Sequence, residues 1–132
     1  FTISFFVEIR PYSFTILIAT FFLTSIMFSL AGFINAVFAK TFDDIAIVPN
    51  FVLLPLTYLG GMFYSIEILP SFWRGLSAFN PIFYMMDSFR LGFLGVGSIE
   101  LWKAFMVPIV MIIMLALIAN YLLNRGVSIK TE

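Results

Sequence analysis

The sequence predicts an all-α integral membrane protein with three transmembrane helices and a re-entrant two-helix hairpin between the second and the third. The chain is 62% hydrophobic and only 11% charged, whereas soluble domains carry roughly 25% charged residues. Three uncharged runs are long enough to cross a hydrocarbon core of roughly 30 Å. The segment between the second and third runs, residues 67–103, holds six of the chain's fourteen charged residues, so it is too polar to cross in the same way.

The first span is predicted over residues 13–39, which contain fourteen Phe, Ile, Leu and Val side chains. Together these side chains contribute roughly −4 to −8 kcal/mol to insertion. A second span is predicted over 45–66, with Asp43 and Asp44 as its N-cap. A third is predicted over 104–124. All three belong to one transmembrane domain over 1–132, and we expect the chain to be part of a longer protein because it begins with Phe.

Two prolines and two glycines interrupt the second predicted span. Pro49 and Pro55 lie six residues apart, and the pair Gly60 and Gly61 follows. Proline removes a backbone hydrogen bond and bends a helix. The pattern predicts a kink, which is either a gating element beneath the hairpin or a bend of the kind that membrane helices tolerate.

Residues 82–99 have too little net hydrophobicity to cross a bilayer alone. Their eight Ile, Leu, Phe and Val side chains contribute roughly −2.5 to −5 kcal/mol, while Asp87 and Arg90 cost about 2.5 to 3.5 kcal/mol each at mid-helix. The sum is near zero or unfavourable. We therefore expect this stretch to dip into the bilayer against other parts of the protein.

The positions of proline, asparagine and glycine in residues 70–98 indicate two short helices. Pro70 suits the first turn of a helix that ends near Asn80, and Asn80 with Pro81 suits the N-cap and first position of a second helix. Glycines at 92, 95 and 97 are expected to end it. Irregular backbone at membrane depth must be shielded by protein or face water.

Several hairpin side chains have two possible uses. Asp87 and Arg90 either form a charged latch in a transport pathway or neutralise each other as an ion pair three residues apart. Trp73 and Tyr84 either line the mouth of a pathway or belong to the aromatic belt at the membrane surface. The density of basic residues favours a cytoplasmic location for the 40–44 turn and the C-terminal tail.

Composition limits the chemistry of the chain. A net charge of zero gives no basic footprint for nucleic acid, and the chain contains no Cys and no His. Thiol nucleophiles, His-based acid–base catalysis and most zinc sites are thereby excluded. An integral-membrane enzyme is disfavoured, and an ATP-independent channel or secondary carrier stays open as an alternative transport class.

One pattern in the hairpin resembles a known family. Leu69-Pro70, the element Pro81-x-x-Tyr84-x5-Arg90 and the upstream stretch PLTYLGGMFYSIEILP over 55–70 are similar to the C-terminal half of ABC-2 type transporter permeases. These permeases are the membrane subunits of bacterial ABC exporters, and the most similar group contains drug, lipo-oligosaccharide and polysaccharide exporters. The likeness covers roughly residues 15–125.

The resemblance implies the last three spans of a six-span subunit in the bacterial inner membrane, with the hairpin closing the outer end of a pathway. It also implies a second permease subunit in a homodimer, surrounding membrane lipid, and a separate ATP-binding cassette subunit. ATP would bind to that partner and no cofactor to this chain, since no GxxxxGK[ST] motif occurs. The implied gate residues are Pro70, Trp73, Pro81, Tyr84, Asp87 and Arg90.

Overall fold

The computed structural model describes residues 11–62 and 66–126, and every regular element in these two ranges is helical. The prediction of an all-helical chain with three helices able to span a membrane is confirmed. Within these ranges five helices follow one another: α1 (Phe14–Phe38), α2 (Phe42–Leu59), α3 (Ser71–Ser77), α4 (Pro81–Leu94) and α5 (Leu101–Asn124). Helices α1, α2 and α5 are the candidate spanning helices, and α3 and α4 are the two short helices between α2 and α5. A 3₁₀ turn over Ile66–Ile68 precedes α3.

The turn between α1 and α2 corrects the predicted N-cap of the second span. Thr41, and not the pair Asp43–Asp44, occupies the N-cap position. Its hydroxyl accepts a hydrogen bond from Asp44 N at 3.3 Å, while the Asp44 carboxylate accepts one from Thr41 N at 2.9 Å. This reciprocal capping box satisfies two free donors of the first turn. Helix α2 therefore begins at Phe42, ahead of the predicted position 45.

Helix α2 also ends earlier than predicted, at Leu59 rather than 66. Gly61 has a φ of 77°, and a left-handed residue of this kind stops a helix. Residues 63–65, within the predicted second span, lie outside the described residues. Between the two prolines the helix widens into a π turn over Pro49–Leu53, in which Leu54 N donates to Pro49 O. The departure from α geometry thus falls where the sequence predicted a kink.

Helices α1, α4 and α5 pack together around a small apolar core. Its buried side chains are Met27, Ile82, Met85, Ala104, Ala119 and Leu122. Helix α2 contributes no buried side chain and meets the other helices near its two ends. At one end, Asn35 Nδ2 donates to Ile45 O at 2.9 Å; the other end meets the hairpin.

Helix α4 runs antiparallel to α1 along the first half of α1. Near the start of α1, Ser13 N donates to Gly92 O at 3.0 Å. Deeper along α1, Thr20 and Thr24 line the same cleft as Met85. A Cβ added to Gly92 would lie 2.7 Å from Leu17 Cδ2, so this glycine allows the two helices to approach closely.

Candidate functional site

The hairpin holds the C-terminal end of α2 through three side chains. Asn80 Nδ2 donates to Leu56 O at 2.6 Å and Arg90 Nη2 donates to Gly61 O at 3.2 Å. Ser77 Oγ lies 3.0 Å from Leu59 O. The last carbonyl groups of a helix lack partners within the helix. We call these three side chains and the carbonyl groups they reach the clasp.

Asn80 does two things at once. Its Oδ1 accepts a hydrogen bond from Ile82 N at 3.0 Å, which caps α4, while its Nδ2 reaches across to α2. The side chain is only 2% exposed. The structure places Asn80 at the N-cap and Pro81 at the start of the helix, as the sequence predicted. The contact with Leu56 was not predicted, because nothing local in the sequence brings α2 within reach.

Gly60 and Gly61 fit the clasp for reasons of space and backbone conformation. A Cβ at Gly60 would lie 3.0 Å from Ile82 Cγ2 and 3.2 Å from the Leu56 and Thr57 oxygens. Gly61 has positive φ, which L side chains adopt only at a cost. The two glycines thus end α2 and let the first turn of α4 approach it.

Asp87 and Arg90 do not pair with each other, which corrects the ion pair considered from the sequence. Within 11–62 and 66–126 the one ion pair is Glu100–Lys103. Asp87 is 2% exposed; its Oδ1 accepts from Ser98 N at 2.9 Å and its Oδ2 from Ile99 N at 3.1 Å. Its carboxylate therefore fixes the loop between α4 and α5, while Arg90 extends the other way to α2.

The remaining predicted gate residues lie around α3. Pro70 occupies the N-cap position just before the helix rather than its first turn, and its carbonyl accepts from Arg74 N at 3.0 Å. Trp73 is 44% exposed and packs edge-on against Phe72. Tyr84 Oη donates to Ala78 O at 2.7 Å, which ties the start of α4 to the end of α3.

Ser77 and Arg74, for which the sequence predicted no role, also stabilise the hairpin. Ser77 is fully buried and has its hydroxyl 2.9 Å from Trp73 O as well as near Leu59 O; its single proton serves one of these at a time. Arg74 Nη2 donates to Glu67 O at 2.6 Å and so closes the loop before α3. The only sequence feature that could have indicated the Ser77 contact is its position four residues after Trp73, the spacing at which a serine hydroxyl reaches a carbonyl within a helix.

The contacts of this site are hydrogen bonds between side chains and backbone groups. In the part of the chain that the structure describes, no three His, Cys, Asp or Glu side chains cluster to hold a metal ion. The clasp consists of neutral or cationic donors on backbone carbonyls, and no nucleophile is paired with a base. Such an arrangement can hold two segments together and release them.

Comparison with known proteins finds one family and several relatives. The family model described as "ABC-2 type transporter" matches residues 1–94. The chain is 51% identical over 127 residues to the inner membrane transport permease YadH of Escherichia coli K12, and equally to the proteins of that name in E. coli O157:H7 and Shigella flexneri. The match covers 96% of the chain and 50% of each relative, so the chain spans about half their length. No solved structure matches it.

Proposed function

The chain belongs to the ABC-2 type transporter family, and from this premise we propose that it is the C-terminal half of the membrane-spanning subunit of an ATP-driven exporter. The family confirms the resemblance read from the hairpin motif. The chain is part of a multi-pass inner membrane protein of the transport permease class. In our proposal the three spanning helices form part of the translocation pathway, and α3 with α4 forms its outer gate.

The observation that carries the gate proposal is the clasp. The contacts of α4 with α1 and with α2 differ in kind. Helix α4 packs closely against α1 through Gly92 and the buried Met85, but the hairpin holds α2 mainly by hydrogen bonds from Asn80 and Arg90 to carbonyl groups at the end of α2. In the proposal the contact between α4 and α2 borders a water-filled pathway, so water can replace these hydrogen bonds, whereas separating α4 from α1 would give up close packing. The gate would therefore open between α2 and the hairpin.

The depth of α4 supports a re-entrant hairpin. With 14 residues it is about 21 Å long, shorter than the roughly 30 Å hydrocarbon core. Its side chains reach the level of Thr24 on α1, ten residues beyond Phe14 and so about 15 Å below the start of that helix. The hairpin would thus reach about the middle of the bilayer at the start of α4, and α4 would return the chain to the outer side without crossing.

The energy source and the cargo are further parts of the proposal. Members of this family work with an ATP-binding subunit, and we expect an ATP-binding cassette partner to bind the ATP and a second permease copy to complete a homodimer. The aromatic and apolar surfaces around the hairpin suit amphiphiles, so the proposed cargo is a drug, a lipid or a lipid-linked saccharide.

Purification of the full-length parent from its native membrane tests the exporter assignment. We expect a stoichiometric companion with a Walker motif, and ATP hydrolysis that rises when the cargo is added. A parent that purifies alone, in a preparation that preserves other ABC complexes, and that conducts ions without ATP would replace the exporter by the channel or carrier.

Two engineered disulfides test where the gate opens. A Cβ at Gly60 lies 3.0 Å from Ile82 Cγ2, and a Cβ at Gly92 lies 2.8 Å from Leu17 Cγ, so both pairs can meet the roughly 3.5–4.5 Å Cβ separation of a disulfide. In a background without other cysteines, G60C/I82C should stop export when oxidised and regain it on reduction. The matched pair L17C/G92C should export in both states. Export by oxidised G60C/I82C would refute the proposed opening.

Substitutions in the hairpin give an independent test. We expect Pro81→Ala and Arg90→Ala to impair export while membrane insertion stays intact, because each weakens the attachment or the start of α4. Arg125→Ala is the control, since Arg125 lies over the Tyr121 ring at the far end of α5. Normal export in both hairpin variants would remove the hairpin from the mechanism.

A further inference from the structure

A groove of about 420 Å³ runs between the hairpin and the first half of α5. One wall is formed by Phe79 and Tyr84 of the hairpin, and the other by Trp102, Lys103, Met106 and Val110 of α5. We call it the α5 groove. It faces α5 and contains none of the clasp side chains, and the family assignment does not account for it.

The mouth of the α5 groove carries one positive and one negative charge. Lys103 Nζ lies 3.1 Å from Glu100 Oε2, and Trp102 Nε1 donates to the same oxygen at 2.6 Å. Both contacts fall on Oε2, which leaves Oε1 of Glu100 available to a ligand. The ammonium group of Lys103 has three donors and uses one of them here. The Lys103 and Glu100 side chains are 47% and 62% exposed, so both can accept a further partner.

The Glu100 carboxylate is held in its ionised form. Hydrogen bonds from Lys103 and then from Trp102 hold the pKa of Glu100 below its ordinary value, so the carboxylate is ionised. The Lys103 ammonium also lies 5.3 Å from the centre of the Trp102 ring, within the range of a cation–π contact. The mouth is therefore a fixed dipole beside an aromatic ring, which is typical of the membrane interface.

The floor of the groove is apolar and has the length of one leaflet. From Trp102 to Val110 the helix advances eight residues, or about 12 Å, and half of a hydrocarbon core of roughly 30 Å is about 15 Å. The side chains along it, Met106 and Val110, are about half exposed. A ligand that fits has a dipolar head at the interface and a chain that points towards the bilayer centre.

We propose that the α5 groove binds a resident phospholipid whose headgroup carries both a phosphate and a primary ammonium. The phosphate binds the free donors of Lys103, the ammonium donates to Oε1 of Glu100, and one acyl chain lies along Met106 and Val110. A purely anionic headgroup meets repulsion from Glu100. A quaternary ammonium has no N–H to donate to the carboxylate. Charge complementarity thus selects a primary amine.

The bound lipid has a mechanical consequence for the hairpin. Because Phe79 and Tyr84 form the opposite wall, the acyl chain fills the space between the hairpin and α5. Tyr84 in turn bonds the end of α3 at Ala78. The lipid therefore braces the tip of the hairpin, where α3 meets α4, and it remains bound while cargo passes elsewhere.

Fluorescence quenching of Trp102 tests this inference. The full-length protein is placed in nanodiscs that contain brominated phosphatidylethanolamine, phosphatidylcholine or phosphatidylglycerol, and the Trp102 signal is taken as the difference from Trp102→Phe. We expect the ethanolamine lipid to quench most. Lys103→Gln and Glu100→Gln should each reduce its preference about two- to fivefold, as expected for exposed charge pairs. Arg125→Gln, a cation beside an aromatic ring at the other end of α5, should leave it unchanged.

The double variant E100K/K103E separates lipid binding from the stability that the ion pair gives. It keeps the pair but reverses the dipole, so the preference should disappear while the thermal unfolding temperature stays near that of the wild type. Equal quenching by the three lipids, strongest quenching by the glycerol lipid, or a preference that survives both single variants would overturn the proposal. Loss of quenching on addition of the ATPase partner and ATP would make the lipid a cargo and overturn its resident role. Because the headgroup preference is measured without ATP, failure of the exporter assignment would not affect it.

Discussion

Substitution of Asn80 tests whether the clasp holds the hairpin to α2. The side chain caps α4 through Ile82 N and reaches Leu56 O through its amide nitrogen, so two variants separate the two contacts. Asn80→Ala removes both. Asn80→Asp keeps an oxygen for the cap, since Asp and Asn are equivalent there, but it removes the donor to Leu56 and sets a carboxylate against a carbonyl group.

The expected cost follows from these contacts. Loss of the cap costs about 1 kcal/mol, and loss of the hydrogen bond to α2 costs about 0.5–1.5 kcal/mol. Asn80→Ala should therefore destabilise the protein by about 2 kcal/mol. Asn80→Asp should cost about 1–3 kcal/mol at neutral pH because the buried carboxylate faces an acceptor. At low pH the introduced carboxyl protonates and regains a donor for Leu56 O, so the defect of this variant should become smaller as the pH falls.

The assay combines thermal unfolding of the purified full-length protein with export in cells. A loss of about 2 kcal/mol should lower the unfolding temperature by roughly 4–8 °C. Asn124→Ala and Asn124→Asp are the matched controls, because Asn124 is exposed at the last residue of α5, and they should change the temperature little. If both Asn80 variants unfold and export like the wild type at neutral pH, the clasp is not an attachment.

Two further substitutions test the loop and the helix end. Asp87→Asn should lower the stability by about 1–3 kcal/mol, because an NH2 group replaces one of the two carboxylate oxygens and faces the N–H donors of Ser98 and Ile99. Asp43→Asn, at an exposed position, is its control, and equal melting temperatures would contradict the role of Asp87. Gly61→Ala should cost about 1–2 kcal/mol through its positive φ. Gly32→Ala, where an added Cβ meets nothing within 4 Å, should be neutral or slightly stabilising, and a similar loss in both would refute the backbone explanation.

The features that local chemistry determines could be predicted from the sequence. Hydropathy located the spans, and Asn80-Pro81 located the start of α4 because a cap and a first-position proline act on adjacent residues. Of the three glycines predicted to end α4, Gly95 does so with a φ of 70°, whereas Gly92 lies inside the helix. The true start of α2 was also within reach, since Thr41 followed three residues later by Asp44 is a capping-box pattern.

The contacts between distant segments could not be predicted. The rule that residues three apart on a helix can pair placed Asp87 beside Arg90, but it carries no information about competing partners. In the structure, backbone N–H groups of the loop at 98–99 bind Asp87, and Gly61 O binds Arg90. Backbone groups at the end of a helix and in a loop need partners wherever the fold leaves them, and the sequence does not say which side chains will be near.

The clasp has the energetics that a reversible gate requires. The hydrogen bonds of Asn80 and Arg90, with that of Ser77 when its proton points to Leu59 O, contribute about 0.5–1.5 kcal/mol each when water is the alternative partner, so their sum is of the order of a few kcal/mol. Conformational states that differ by this amount can be interchanged by a ligand with a modest preference for one of them. On the other side of α4, separation from α1 would expose Met85 and open the close contact at Gly92, and burying a side chain such as Met contributes about 1.5–3 kcal/mol by itself. Water in the proposed pathway can replace the hydrogen bonds to α2 but not the packing against α1, so in the proposed exporter the hairpin should separate from α2 first.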